Sequence, residues 1–229
     1  MIYAVIAAGG IGSRMGAQKP KQYIRIGDKT IIEHTVFKFS KNINIDKVIV
    51  LCPADWVDYT KELFTDTDIT VICGGLTRNE TLMRAIDYIE ESDGLRDDTY
   101  LVTHDSVRPF VTDEIINKNI EAVRRYGATG TVIPATDTVF QSRKGVIIDS
   151  IPDRSELYQA QTPQCFGALK LRELYNSLSD EDKDILTDGC KIYLLKGYDV
   201  HLVQGDVSNI KITYPHDLIV AEAILGNNN

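Results

Sequence analysis

The sequence predicts an α/β sandwich built on a mostly parallel sheet. Three observations carry that expectation. Short apolar runs alternate with amphipathic segments of helical period along the chain. Several runs are apolar at every position, as strands covered on both faces are. Capping residues precede the amphipathic segments and a glycine follows one of them, so strand and helix punctuate each other.

The elements follow in order. Ile2–Ala7 reads as a first core strand that runs into Gly9 and Gly10. Ile31, Ile32, Thr35, Val36 and Phe39 then recur at the spacing of one helix face. Lys47–Cys52 and Ile69–Cys73 are the next strands. Thr77 with Glu80 forms a capping box ahead of Leu82, Met83, Ile86 and Ile89. After the strand Tyr100–Thr103, the run Thr112, Asp113, Glu114 opens a helix that Gly127 stops. Thr129–Pro134 and Val200–Val203 are the last strands, and Pro215 opens a final helix through Leu225. One region breaks the alternation. Asp137–Gln141 and Val146–Ile151 flank "SRKG" and read as a hairpin with no helix of its own, either a lid or an arm toward another subunit. With no linker or repeat, residues 1–229 read as a single domain with a projecting arm at 137–158, and the terminal "GNNN" as a frayed tail.

Composition narrows the function. At 43% hydrophobic residues, a chain of 229 can bury a sizeable core. No apolar run reaches the roughly 18 residues of a membrane helix, and "MIYAVIAAGG" lacks a basic leader, so a cytoplasmic protein that meets no membrane is expected. A net charge of -8 argues against nucleic acid as partner, but leaves room for a small anion where cations are concentrated. Cys52, Cys73, Cys165 and Cys190 show no C-x-x-C spacing and read as buried reduced thiols.

In open α/β sheets ligands sit at the carboxyl ends of the strands. The loops Ala8–Pro20, Gly74–Thr77 and His104–Phe110 are therefore the candidate site. The first is unusual. Gly9, Gly10 and Gly12 can bring backbone amides close to an anion, and Arg14, Lys19 and Lys21 crowd the same turn. No Lys-Ser/Thr follows as a Walker loop requires, and Met15 stands where a dinucleotide fingerprint wants a small residue. Arg14 offers a planar fork and Lys21 a point charge, a pairing suited to a polyphosphate. On residues alone, Asp105 fits a metal ligand or a turn residue, Arg108 a ligand contact or a partner of Asp105, and His104 a packed neighbour.

"AAGGIGSRMG" with "PKQY", "GGLTRNET", "HDSVRPF", "PATDTV", "DRSELYQAQTPQ" and "SNIKIT" stand in that order along the whole chain. Together they resemble the sugar- and polyol-phosphate cytidylyltransferases, which make CDP-methylerythritol or CDP-ribitol. The resemblance implies a Rossmann-like three-layer sandwich of nucleotidyltransferase type with a β-hairpin dimerisation arm. It implies a homodimer acting on CTP and a polyol phosphate with Mg²⁺ or another divalent cation, and no protein nucleophile. By that likeness Arg14 and Lys21 neutralise charge at the α-phosphate. Ala7, Ala8, Gly9, Gly10, Gly74, Gly75, Thr77, Arg78, Asn79, Glu80 and Ser106 hold the nucleotide. Asp105 binds the metal. Arg154 and Lys211 act on the acceptor phosphate, beside Thr138 and Thr162, with Thr138 and Arg154 reaching the partner's pocket. The chain departs from the methylerythritol branch: it reads "HDSVRPF" for the usual "HDAARP", and Ser208 stands where that branch carries Asp. With "LTDGCKIYLLKG" this favours D-ribitol 5-phosphate as acceptor, 2-C-methyl-D-erythritol 4-phosphate being the alternative. Two other classes compete: a nicotinamide-dependent oxidoreductase, for which Glu33 would be the ribose acid but no Tyr-x-x-x-Lys is present, and a non-catalytic nucleotide sensor.

Overall fold

The computed structural model describes residues 1–10, 15 and 19–226. β1 (Ile2–Ala7) is followed, among the described residues, by a 3-10 turn at Lys21–Tyr23 and by β2 (Arg25–Ile26) and β3 (Lys29–Thr30), which pair as a small separate ribbon. Then come α1 (Ile31–Ser40), β4 (Lys47–Cys52), α2 (Val57–Leu63), β5 (Thr70–Cys73) and α3 (Arg78–Asp93). β6 (Tyr100–Asp105), α4 (Asp113–Tyr126) and β7 (Ala128–Pro134) lead into the arm. The chain returns as β8 (Tyr158–Gly167), α5 (Ala168–Asn176), α6 (Asp180–Asp184) and α7 (Gly189–Leu195), and ends with β9 (His201–Gln204) and α8 (Pro215–Gly226).

Seven strands make one sheet in the order β5-β4-β1-β6-β8-β7-β9. β1 lies parallel between β4 and β6, and its last residue, Ala7, faces Leu51 on one side and Asp105 on the other. This register brings the carboxyl ends of β1 and β6 side by side. Side chains along β1 alternate between two cores, as strand geometry requires. Ile2, Ala4 and Ile6 meet α1 and α4 through Val36, Phe39 and Ile116. Tyr3 and Val5 meet α3, α5 and α7 through Ile86, Leu171 and Ile192. The result is the expected three layers. No helix among the described residues is long and apolar enough to cross a membrane.

Local signals fold as they read. All five residues of the Ile31–Phe39 stripe are buried. The Thr77–Glu80 capping box forms at the start of α3, and a second one, Thr30 with Glu33, opens α1. Thr112 caps α4, and Gly127 ends it in the left-handed region at a φ of 82°, which favours glycine. The four cysteines are free; Cys52 and Cys165 are buried, Cys73 and Cys190 only partly.

Strand boundaries differ from expectation by up to two residues. β6 runs on to Asp105, β5 begins at Thr70, β7 at Ala128 and β9 at His201. Two expectations need larger correction. The ten-residue β8, antiparallel to both β6 and β7, was not foreseen. Its central stretch "QTPQ" is polar and contains a proline, features that argue against a central strand. Those polar groups are buried because they face the site described below. The arm is not a pair of strands either. Gln141 and Ser150 form an isolated antiparallel bridge, and the rest turns back without regular pairing. Residues 137–151 are all exposed, Phe140, Val146, Ile147 and Ile151 among them. They have no sheet or core of their own chain to order them into strands. Arg14 and Gly12, and the terminal residues 227–229, lie outside the described residues.

Candidate active site

A cleft of about 290 Å³ opens at the carboxyl ends of β1 and β6. Ala7, Gly9 and Gly10 form one wall, and the β5–α3 connection through Gly75, Leu76 and Thr77 forms another. Asp105 and Ser106 make the floor, with Lys21 and Lys211 at the sides.

The turn "KQY" explains how Lys21 is held. Gln22 donates from Nε2 to the Ala8 carbonyl at 2.7 Å, tying the turn to the end of β1. Tyr23 shares a 2.7 Å hydrogen bond with Thr60 and stacks on Trp56 at 4.6 Å between ring centroids. Lys21 is thus fixed between two anchors, and its side chain is only 8% exposed although it lines the cleft.

Asp105 is the electrostatic centre. Its Oδ1 accepts from Arg78 Nη1, and its Oδ2 lies 2.9 Å from Lys211 Nζ and 3.3 Å from Arg108 Nε. Burial would raise the carboxyl pKa, but Arg78, Lys211 and Arg108 together overcome it and hold the group far below the usual carboxylate range. Arg108 pairs with Asp105 and also borders the second chamber described below. Besides Asp105, it donates to the Asn209 carbonyl at 2.8 Å.

His104 is fully buried, and burial pulls its pKa down to about 3. Nε2 meets the Arg108 carbonyl at 3.1 Å and so carries the proton, leaving Nδ1 to accept from the Thr162 hydroxyl at 2.9 Å. The same hydroxyl accepts from the Asp105 amide at 3.1 Å. His104 therefore positions Asp105 and does not act as a base. The folded pKa lies below the ordinary value near 6.5, so this group's stabilisation is complete above about pH 6.5 and is lost as pH falls toward 3. Urea unfolding should show stability declining below pH 6.5 with a slope approaching about 1.4 kcal/mol per pH unit. Equal unfolding free energies at pH 7 and pH 5 would contradict a buried neutral ring.

Beyond Asp105 lies a second chamber of about 180 Å³. It shares Arg78, Asp105 and Lys211 with the cleft and adds Thr162, Gln164 and Asp188. Gln164 donates from Nε2 to Asp188 at 3.0 Å, which fixes the amide's orientation. Its Oε1 is buried without a partner, an acceptor left for a hydroxyl.

Of the residues singled out from the sequence, Ala7, Gly9, Gly10, Lys21, Gly75, Thr77, Arg78, Asp105, Ser106 and Lys211 do line the cleft. Four others do not. Ala8 turns into the core, and its amide is spent on Leu51. Gly74 donates to Cys52. Asn79 is buried in the first turn of α3. Glu80 spends its carboxylate on the amides of Leu76 and Thr77, so its place in the motif is local capping. Gly75 is required mainly by that helix start, since a Cβ there would lie 2.5 Å from Glu80 Cβ. Thr162 faces the second chamber. Thr138 and Arg154 stand on the exposed arm, where Arg154 donates to the Thr136 carbonyl at 3.1 Å. Arg14 is outside the described residues. Gln22, Gln164 and Asp188 were not recognised from sequence; a polar run with a buried strand's neighbours is the signal that could have found Gln164.

Comparison with known proteins extends this picture. Residues 2–227 match the family model for 2-C-methyl-D-erythritol 4-phosphate cytidylyltransferase. A ribitol-5-phosphate cytidylyltransferase from Lactiplantibacillus plantarum is 49% identical, the alignment covering 98% of each chain. The crystal structure of 4-diphosphocytidyl-2C-methyl-D-erythritol synthase from Anaerococcus prevotii superposes with a TM-score of 0.81 at 29% identity, covering 99% of this chain and 96% of that one. The Francisella tularensis 2-C-methyl-D-erythritol 4-phosphate cytidylyltransferase gives 0.82 at 28%, covering 97% and 98%.

Proposed function

The chain belongs to the 2-C-methyl-D-erythritol 4-phosphate cytidylyltransferase family and is a CTP-dependent cytidylyltransferase; we propose that its acceptor is D-ribitol 5-phosphate. The observation that carries the acceptor is the 49% identity, end to end, with an enzyme named for ribitol 5-phosphate, against 28–29% for those named for the methylerythritol compound. The oxidoreductase and sensor alternatives give way to family membership.

In the proposed reaction CTP lies in the cleft and the acceptor reaches it from the second chamber. An oxygen of the acceptor's phosphate forms a bond to the α-phosphorus as the bond to the β-phosphate breaks, giving CDP-ribitol and pyrophosphate. The transition state carries extra negative charge on the α-phosphate oxygens, so catalysis rests on placement and opposing charge. Lys21 and Arg14 supply that charge. Lys211 meets the acceptor's phosphate, and Thr162 and Gln164 offer hydrogen-bonding groups to its hydroxyls.

Among the described residues no group of three or more His, Cys, Asp or Glu is placed to hold a metal by itself. A Mg²⁺ arriving on the phosphates of CTP needs only one or two carboxylates, and Asp105 on the cleft floor fits that demand. Asp105 would hold the ion, its carboxylate oxygens being shared with Arg78, Arg108 and Lys211. When bound, the ion supplies positive charge to the triphosphate. The proposal includes a homodimer. The exposed apolar side chains of the arm support it, and Thr138 and Arg154, which line neither cleft nor chamber here, would serve the partner's site.

Pyrophosphate release from CTP, measured with ribitol 5-phosphate and methylerythritol 4-phosphate side by side, tests the acceptor. We expect kcat/KM to favour ribitol 5-phosphate by about tenfold or more, a modest ratio for a site that hydrogen-bonds its substrate's hydroxyls. A clear preference for the methylerythritol compound would reverse the assignment.

A further inference from the structure

Lys211 stands on a stretch without helix or strand, between β9 and α8. A lysine side chain on an irregular loop has wide freedom, yet this one ends 2.9 Å from Asp105. The loop must be held, and two buried amides hold it. Gln161, on β8 and 5% exposed, donates from Nε2 to the Asp206 carbonyl at 2.8 Å. Its Oε1 accepts from Asn209 Nδ2 at 3.1 Å. Asn209, fully buried, also donates to the Thr162 carbonyl at 2.9 Å. The loop is thereby tied at Asp206 and Asn209 to the strand whose Thr162 hydroxyl holds the Asp105 amide. Its far side is fastened by the Ile212 amide, which donates to Val107 at 2.9 Å.

The chain makes room for this arrangement. At Gly205 a Cβ would lie 2.4 Å from Gln161 Oε1 and 2.8 Å from Thr131 Cγ2, so a side chain there would drive the amide out of place. Asp206 turns the loop by accepting from both the amide and the hydroxyl of Ser208, at 2.7 and 2.6 Å. Apolar packing could also bury such a loop, but it would leave the register soft. Directional donor–acceptor pairs fix it to fractions of an ångström.

We propose that Gln161 and Asn209 are positioning residues for cytidylyl transfer: they set the point at which the Lys211 ammonium meets the acceptor's phosphate. The proposal rests on the acceptor-side role given to Lys211 above. Neither amide lines the nucleotide cleft. Gln161 also borders the second chamber, so any contact of its own with the acceptor must be told apart from its hold on the loop, which the Lys211→Ala background below does.

A double-mutant cycle separates this from a plain folding role. Gln161→Leu and Asn209→Ala are made alone and combined with Lys211→Ala. For each protein kcat and KM for ribitol 5-phosphate are measured, with CTP affinity by direct titration and the thermal midpoint as controls. Each single amide substitution should lower kcat/KM for the acceptor by about 10- to 100-fold, the scale of a misplaced catalytic group, with CTP affinity within about twofold of wild type. In the Lys211→Ala background the same substitutions should cost less than about twofold, because the group they position is gone. Losses that multiply fully in the double variants, or a CTP affinity that falls in step with kcat/KM, would overturn the proposal. If Lys211→Ala alone leaves kcat/KM unchanged, the role of Lys211 itself fails, and the clamp with it. Should either amide variant fold poorly, Gly205→Ala displaces the Gln161 amide without removing it and must give the same pattern.

Discussion

Lys21→Ala is expected to lower kcat by about 10²-fold or more, the scale on which one preorganised stabilising group contributes. The side chain lines the cleft yet is nearly buried, so its charge acts through little screening water. Its placement depends on Gln22 and Tyr23, which the substitution leaves alone, so the fold should survive. A group that meets charge developing in the transition state, and not the ground state, shows itself in kcat more than in KM. Steady-state pyrophosphate release should therefore show kcat falling while KM for CTP moves little. Arg14→Ala should lose a comparable factor. Rates within threefold of wild type in both variants would remove these residues from the chemistry.

Asp105→Ala should be the most damaging change to stability. It would leave Arg78, Arg108 and Lys211 facing one another around a buried gap. Removing one partner of a buried ion cluster costs about 3–5 kcal/mol, chiefly because the charges left behind are uncompensated. Urea unfolding at pH 7 measures this, and Asp105→Asn, which keeps the shape, should lose less than the alanine variant. The sign of the pH dependence follows from the depressed carboxyl pKa. The contribution is fully present above the ordinary carboxylate value, near 3.9, and is lost progressively as pH falls below it. The gap between wild type and variant should therefore narrow in acid; a constant gap down to pH 2 would contradict the ion cluster as its source. Cytidylyl transfer should fall as well, since the same carboxylate orders Arg78 and Lys211 in the cleft.

What could be read from sequence was whatever is written locally. β1, the α1 stripe, the α3 capping box and the Thr112–Gly127 helix each depend on residues a few positions apart, and each folds as expected. β8 was illegible for the opposite reason. Its polar residues are paired to groups far along the chain, Thr162 to His104 and Gln161 to Asp206, and local propensity carries no trace of those partners. Arg108 likewise reveals its purpose only through Asn209, 101 positions away. Glu80 shows the converse risk: a residue inside a ligand-binding motif can belong to the helix that presents the motif. The cations of the first loop pointed by their number to an anion site, an expectation about the loop beside Asp105, but the placing of Asp105 itself between Arg78 and Lys211 needed three dimensions to appear.

The cleft and the chamber meet at one small partition, Arg78 with Asp105 and Lys211; beyond it the loop after β6 serves both, through Ser106 and Val107 on one side and Arg108 on the other, while β8 and Asp188 line the chamber alone. Substitutions on β8 or around Asp188 can remodel one room while the other keeps its walls. If the chamber takes the acceptor as proposed, such a division leaves that side free to change while nucleotide recognition is kept. One ancestral architecture can then diverge toward different alcohols, as relatives named for ribitol and for methylerythritol phosphates already record.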